Sequence, residues 1–180
     1  MFEEYLRLER GFSARTVAAY ASDLRQHRLW LEERDDAPSP REVQRNHIRA
    51  FLADRMREYA PSTMGRILAS LRHFFRYLLK HGQVEANPTD GVRTPKMDKT
   101  LPPHLSVDSI NTLLQPDVST DSVLRLRDQA IFEFLYGSGL RVSELTSLDF
   151  AHLEEEGSHI RVLGKGGKER IVPLTDPAVD

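Results

Sequence analysis

Arg141 and Lys165 stand 24 residues apart, each inside a glycine-punctuated stretch: GSGLRVSELTSLD over 137–149 and GKGGKER over 164–170. An arginine directly after a glycine turn, at the head of a short amphipathic helix with Leu140, Leu145 and Leu148 as its apolar side, adds positive charge where a helix N-terminus is already positive. That placement is unfavourable without an anion, and a guanidinium fork beside exposed backbone N–H groups suits a phosphate. Glu144 lies one turn further on, so the plainer reading is an arginine salt-bridged to its neighbour. GKGGKER reads first as the charged tip of a β-hairpin, glycine and lysine being usual turn residues. A lysine on such a tip could also reach into a nucleic-acid groove.

Neither stretch is a nucleotide-binding loop. GxxxxGK[ST] fails because Glu169 follows Lys168, and GSGLRV fails GxGxxG because Val142 takes the last glycine position. His73-Phe74-Phe75-Arg76 matches a His-x-x-Arg pattern, but it lies inside a helical pattern beside core phenylalanines and reads as a surface histidine and a basic residue. Arg66, Arg72, Arg76 and Lys80 on that helix are candidate phosphate contacts, with a solvated charged face as the alternative. Lys96 and Lys168 complete the candidate DNA-binding cations.

The elements that must position these groups fall into two sets. Four helical patterns fill the first part: Phe2 to Arg10; a helix capped by Ser13 with Val17, Tyr20, Leu24 and Leu31, ending near Arg34; a helix started by Ser39-Pro40-Arg41-Glu42; and a helix capped by Ser62 and closed by Gly82. The last presents a broad apolar face of Ile67, Leu68, Leu71, Phe74, Phe75, Leu78 and Leu79. The stretch QVEANPTDGVRTPKMDKTLPPHL carries four prolines and no sustained apolar period, so it reads as an extended linker. The boundaries expected are a helical domain over 1–84, a linker over 85–105 and a second domain over 106–180. That second domain opens with the helical SVDSINTLLQ and continues with a helix over about 122–136. After the arginine turn, HIRVLGKGGKERIVPL alternates around Ile160, Val162 and Ile171, as an antiparallel β-hairpin does. Thr175 and Pro177 read as the start of a further helix, so the second domain is expected to be incomplete.

Bulk composition bounds the function. The 180 residues are 39% apolar, without cysteine, and the seven histidines lack ligand-like pairing, so no disulfide framework, structural metal or cofactor is expected. No apolar run approaches the roughly 18 residues that cross a bilayer, and MFEEYLRLER lacks the pattern of a signal peptide; a cytoplasmic protein is expected. The net charge of −2 conceals an asymmetry: residues 1–98 hold 17 Lys+Arg and 14 Asp+Glu, whereas 99–180 hold 8 and 13.

Taken together, Arg141 in GSGLRVSEL, Lys165 in GKGGKER and the spacing between them resemble the tyrosine recombinase (phage integrase) family, most closely the bacterial Xer recombinases. TVAAYASDL, Asn87-Pro88, Pro95-Lys96 and LPPHLS follow in that group's order, and the resemblance covers the whole chain. It implies a mainly α fold: a four-helix SAM-like core-binding domain, then part of an α+β catalytic domain with a small antiparallel β-hairpin, the two clamping double-stranded DNA from opposite sides. It implies Arg141 as a catalytic arginine on the scissile phosphate, Glu144 as its support and Lys165 as general acid for the leaving 5′-hydroxyl. A tyrosine forming a 3′-phosphotyrosyl bond, a later His-x-x-Arg and a His or Trp complete the family's site, and none has a counterpart in order here. The expectation is therefore a DNA-binding portion of a site-specific recombinase, inactive alone, that works with a second subunit or paralogue when full length. Alternatives are a short regulator occupying recombination sites, an integrase of a mobile element, a type IB topoisomerase-like enzyme, and a helical interaction module without DNA binding.

Overall fold

In the computed structural model, which describes residues 1–34, 37–94, 103–114, 123–154, 158–164 and 167–174, the chain begins with one helical turn, α1 (Phe2–Glu4), that widens into a π-helical turn over Tyr5–Glu9. Ser13 then lies in extended backbone and its hydroxyl accepts the Thr16 N–H at 3.2 Å, starting α2 (Ala14–Glu32) where the sequence places it. Helix α3 (Arg45–Arg55) starts later than expected. Ser39-Pro40-Arg41-Glu42 closes on itself as a turn: the Glu42 carboxylate accepts the Ser39 N–H at 2.9 Å, and the Glu42 N–H donates to the Ser39 carbonyl at 2.9 Å. The chain continues extended to bury Val43 before Gln44 caps the helix, so tertiary burial overrides the local start signal.

Helix α4 (Pro61–Lys80) is capped at Ala60 instead of Ser62, because Pro61 with its fixed φ takes the first helical position. Its end follows the sequence. Gly82 has φ +63°, the Gln83 N–H donates to Leu78 O at 2.9 Å and the Gly82 N–H to Leu79 O at 3.1 Å, which satisfies two terminal carbonyls.

The core of this unit is built around Phe51, Phe75, Met64, Leu68 and Leu71, closed by Trp30 and Leu31. Two polar ties fix the helix order: Trp30 Nε1 donates to Asp54 Oδ2 at 2.8 Å between α2 and α3, and the Arg66 guanidinium pairs with buried Asp23 between α4 and α2. The segment expected as an extended linker is partly folded onto the helices. Asn87 Oδ1 accepts the N–H and hydroxyl of Thr89 at 3.0 and 2.7 Å, and Val92 is buried in the helical core.

Contacts divide the chain into two units, Met1–Thr100 and Leu101–Asp180. The second opens with the Ser106 hydroxyl accepting the Ser109 N–H at 3.2 Å, beginning α5 (Val107–Leu114); α6 (Val123–Gly137) follows. The turn Ser138–Leu140 leads into α7 (Val142–Leu145), and a 3-10 turn over Phe150–His152 precedes β1 (His159–Leu163) and β2 (Glu169–Pro173). The strands pair antiparallel with Ile160 opposite Val172 and Val162 opposite Arg170. This register corrects one sequence expectation. Val172, not Ile171, joins Leu140, Ile160 and Val162 in the core, and Ile171 faces outward with 62% of its surface exposed. A strand's period of two puts Arg170 on the same inward side as Val172. No helix among the described residues is long and apolar enough to cross a membrane.

Candidate functional site

Gly139 sets the site up. Its φ of +61° is open to glycine and strained for other residues, and it turns the chain so that Leu140 enters the core while Arg141 leaves it in extended backbone at the cap of α7. Glu144, three residues on, does not face solvent as a partner on an amphipathic surface would; it is 5% exposed. Its carboxylate collects four hydrogen bonds. Oε2 accepts the Arg141 backbone N–H at 2.8 Å and Arg170 Nη2 at 3.0 Å. Oε1 accepts Arg141 Nη1 at 2.8 Å and Arg170 Nη1 at 2.7 Å.

The bonds decide the charge state. Arg170's paired donors, then the Arg141 N–H, hold the Glu144 carboxyl down to about 2 against the opposing effect of burial. The same pairing raises the pKa of Arg170. Two guanidinium groups thus share one carboxylate, and the cluster keeps one net positive charge. Arg141 remains 68% exposed, against 39% for Arg170, so the surplus cation is presented to solvent by Arg141. An exposed guanidinium with one nitrogen anchored and its backbone fixed can bind an oxyanion without first losing much side-chain freedom.

Sequence reasoning singled out Arg141 and Glu144, and the structure brings them together. It missed Arg170. The signal was present in the alternation of β2: once Ile160 and Val162 face the core, the antiparallel register turns Arg170 and Val172 inward, and an inward arginine demands a buried acid. Lys165 and Lys96 lie outside the described residues. Lys168 is exposed at the hairpin end, where its carbonyl accepts the Gly164 N–H at 2.7 Å.

The candidate cations of α4 are not an even row. Arg66 is committed to Asp23, Arg72 donates to the Val92 carbonyl and to Thr94 Oγ1, and Lys80 donates to Glu9 Oε2 at 2.8 Å while lying over the Tyr5 ring. Arg76 is exposed. His73 is half-buried, its Nδ1 2.9 Å from the Ala69 carbonyl and its ring edge-on to Phe12, far in role from a catalytic pair with Arg76. No cluster of three or more potential metal-ligating side chains occurs among the described residues.

Comparison with known proteins returns one family for both units. Residues 1–82 match the family model described as phage integrase, N-terminal SAM-like domain, and residues 103–180 match that of the phage integrase family. The tyrosine recombinase XerC of Pelobacter propionicus is 42% identical over 179 residues, covering 99% of this chain and 59% of the relative. Tyrosine recombinase XerD of Listeria monocytogenes serovar 1/2a is 39% identical over 174 residues, covering 96% of this chain and 58% of the relative. The chain thus spans about three-fifths of the length of these relatives. Among solved structures, a lambda integrase tetramer bound to a Holliday junction aligns with a TM-score of 0.72 at 23% identity, covering 98% of this chain and 50% of that one, which establishes the likeness of fold.

Proposed function

The chain belongs to the phage integrase (tyrosine recombinase) family, and from that premise we propose that it is a portion of a Xer-type site-specific DNA recombinase in which Arg141 binds the phosphate to be cut. The observation that carries the reading is the Arg141–Glu144–Arg170 cluster: a buried carboxylate fixes an exposed guanidinium at a turn and leaves it a surplus positive charge. In the reaction, a tyrosine hydroxyl attacks the phosphorus and the bond to the 5′-oxygen breaks. The product is a 3′-phosphotyrosyl link plus a free 5′-hydroxyl, and a second 5′-hydroxyl reverses the step on another strand. The bond energy is kept in the ester, so no cofactor is required.

Arg141 offsets the negative charge that builds on the non-bridging oxygens, and Glu144 supports it. Lys165 donates the proton that the leaving 5′-oxygen takes up. Residues 1–84 act as the core-binding domain, with exposed Arg76 as its leading candidate for a backbone phosphate contact and Arg66, Arg72 and Lys80, each held by a protein partner, as further candidates; Lys168 on the hairpin and Lys96 complete the candidate DNA-binding cations. None of the five tyrosines follows Arg141 in the chain. The nucleophile of this chemistry therefore lies outside these residues, and alone they bind double-stranded DNA without cutting it. The enzyme acts in the cytoplasm with a second recombinase subunit, in chromosome-dimer resolution or DNA integration.

The test is to let the chain select sites from a randomised duplex library. Suicide substrates of the selected sequence are then offered to these 180 residues and to a version extended to the length of the relatives. A covalent protein–DNA adduct with the extended version only is expected; an adduct with the 180 residues themselves, or none with either, would overturn the reading.

A further inference from the structure

Arg170 sits on the inward side of β2, beside Val172 and opposite Val162, where an apolar residue would ordinarily pack. The half-exposed guanidinium gives up part of its hydration there, and a buried acid that meets it offsets the cost. Glu144 meets it with both oxygens, Arg170 Nη1 on Oε1 at 2.7 Å and Nη2 on Oε2 at 3.0 Å, a fork that fixes the plane of the carboxylate. With the plane fixed, each oxygen has one direction left for Arg141: Oε2 for its backbone N–H, Oε1 for its Nη1. Gly164 lies beside the fork: a Cβ there would sit 3.4 Å from Arg170 Nη1, about ordinary contact, and a tighter 3.2 Å from the Lys168 carbonyl.

Charge gives the arrangement its consequence. If Glu144 had Arg141 as its sole partner, a nearly buried carboxylate would draw the guanidinium onto itself and cancel it. With Arg170 present the carboxylate is already compensated, and Arg141 is held by geometry while its charge stays available.

We propose that Arg170 is a positioning residue for Arg141: it orients and neutralises Glu144 so that Arg141 meets the DNA phosphate with its full positive charge, and it ties the hairpin to the arginine turn. This rests on the recombinase reading of Arg141. It assigns to Arg170 no contact with the reacting atoms.

Two measurements on the 180-residue chain test it. In the first, the Glu144 carboxyl is titrated by carbon NMR in the unaltered chain, Arg170→Lys and Arg170→Gln. Loss of the neighbouring charge in Arg170→Gln should raise its midpoint by about 1 to 3 units, and Arg170→Lys should keep much of the depression. In the second, binding to a random-sequence duplex of roughly 30 base pairs is followed against salt, where each neutralised phosphate contributes about 0.9 to the slope of log K on log[salt]. Arg170→Gln should bind more weakly with a slope shallower by about 0.9, and Glu144→Gln added to it should restore both, since the pair of amides leaves Arg141 uncancelled.

The double variant buries no unpaired charge, so it folds even where Arg170→Gln alone does not, and it keeps the comparison open. A Glu144 midpoint unmoved by Arg170→Gln overturns the proposal. So does a double variant that binds no better than Arg170→Gln, because Arg170 would then be a simple strut or a phosphate contact in its own right. Absence of salt-dependent binding by the unaltered chain would remove the recombinase reading instead, and the titration would still decide whether Arg170 sets the charge of Glu144.

Discussion

Arg170 and Glu144, 26 residues apart in sequence, join through two hydrogen bonds of 2.7 and 3.0 Å, and the same carboxylate holds Arg141 through two more. One acid therefore links the strand that returns from the hairpin with the turn that presents the exposed arginine. A carboxylate at such a junction acts on structure and on charge together, and its substitutions separate the two.

Removing the charge of Glu144 should show in the acid limb of stability. Its folded pKa, about 2, lies below the ordinary 4.5, so the stabilisation it gives is complete above pH 4.5 and is lost as pH falls toward 2. Thermal unfolding of the second unit, followed from pH 7 to 2, should find Glu144→Gln less stable at neutral pH, with the gap closing across that window. Glu144→Ala should be worse than Glu144→Gln at pH 7, because two guanidinium groups then face each other without an acceptor. A gap constant with pH would count against the assignment.

Much of this arrangement was legible beforehand, and the misses have physical causes. Ser13, Gly82 and the hairpin behaved as their local chemistry demands, since a cap, a left-handed glycine and a two-residue period act over a few residues. Ser39–Glu42 carried every local mark of a helix start and formed a turn, because burying Val43 required extended chain next to it. Alternation in the sequence points to Ile171 and the structure buries Val172, because the face of a strand is set by its partner's register, which sequence spacing leaves open. Arg170 went unnoticed for the same reason: its importance depends on an inward direction that appears only when β1 and β2 are paired. The arginines of α4 looked alike in sequence, and what separates Arg66 and Arg72 from Arg76 is the presence of Asp23 and the Val92 carbonyl in space.

The strand register makes a simple stability prediction. Val172→Ala removes two methyl groups from a packed site and should destabilise the second unit by about 1 to 3 kcal/mol, whereas Ile171→Ala on the exposed face should stay within about 0.5 kcal/mol. Equal losses by denaturant unfolding would contradict the pairing of Ile160 with Val172.

His27 gives the helical unit its own pH dependence. The imidazole is 4% exposed, packed against the rings of Phe51 and Phe75, and its Nε2 has no hydrogen-bond partner among the described residues. Burial, then the proximity of His47, lowers its pKa from 6.5 to about 4. The unfolded chain takes up a proton here below pH 6.5 and the folded one does not until about 4, so stability is full above 6.5 and declines as pH falls to 4. The loss across that window is about 3 kcal/mol. Melting temperatures of the unaltered chain and His27→Phe should diverge with pH between these limits, and parallel curves would rule out His27 as the origin.

The chemistry of the site supports the most demanding prediction, on the version extended to the length of the relatives. Arg141→Ala leaves the backbone of α7 and the core residue Leu140 untouched, so folding should persist, while cleavage should slow by roughly 10²-fold or more, the scale of losing an oxyanion-stabilising donor. Lys165→Ala should slow cleavage for a different reason, since the 5′-oxygen would leave without a proton. A substrate with sulfur in place of that bridging oxygen separates the two roles, because a thiolate leaves readily unprotonated. It should restore cleavage by Lys165→Ala and leave Arg141→Ala impaired, the charge on the non-bridging oxygens being unchanged by the substitution. Rescue of both variants would place Arg141 in proton transfer, and unchanged cleavage by Arg141→Ala on the ordinary substrate would end the phosphate-binding assignment.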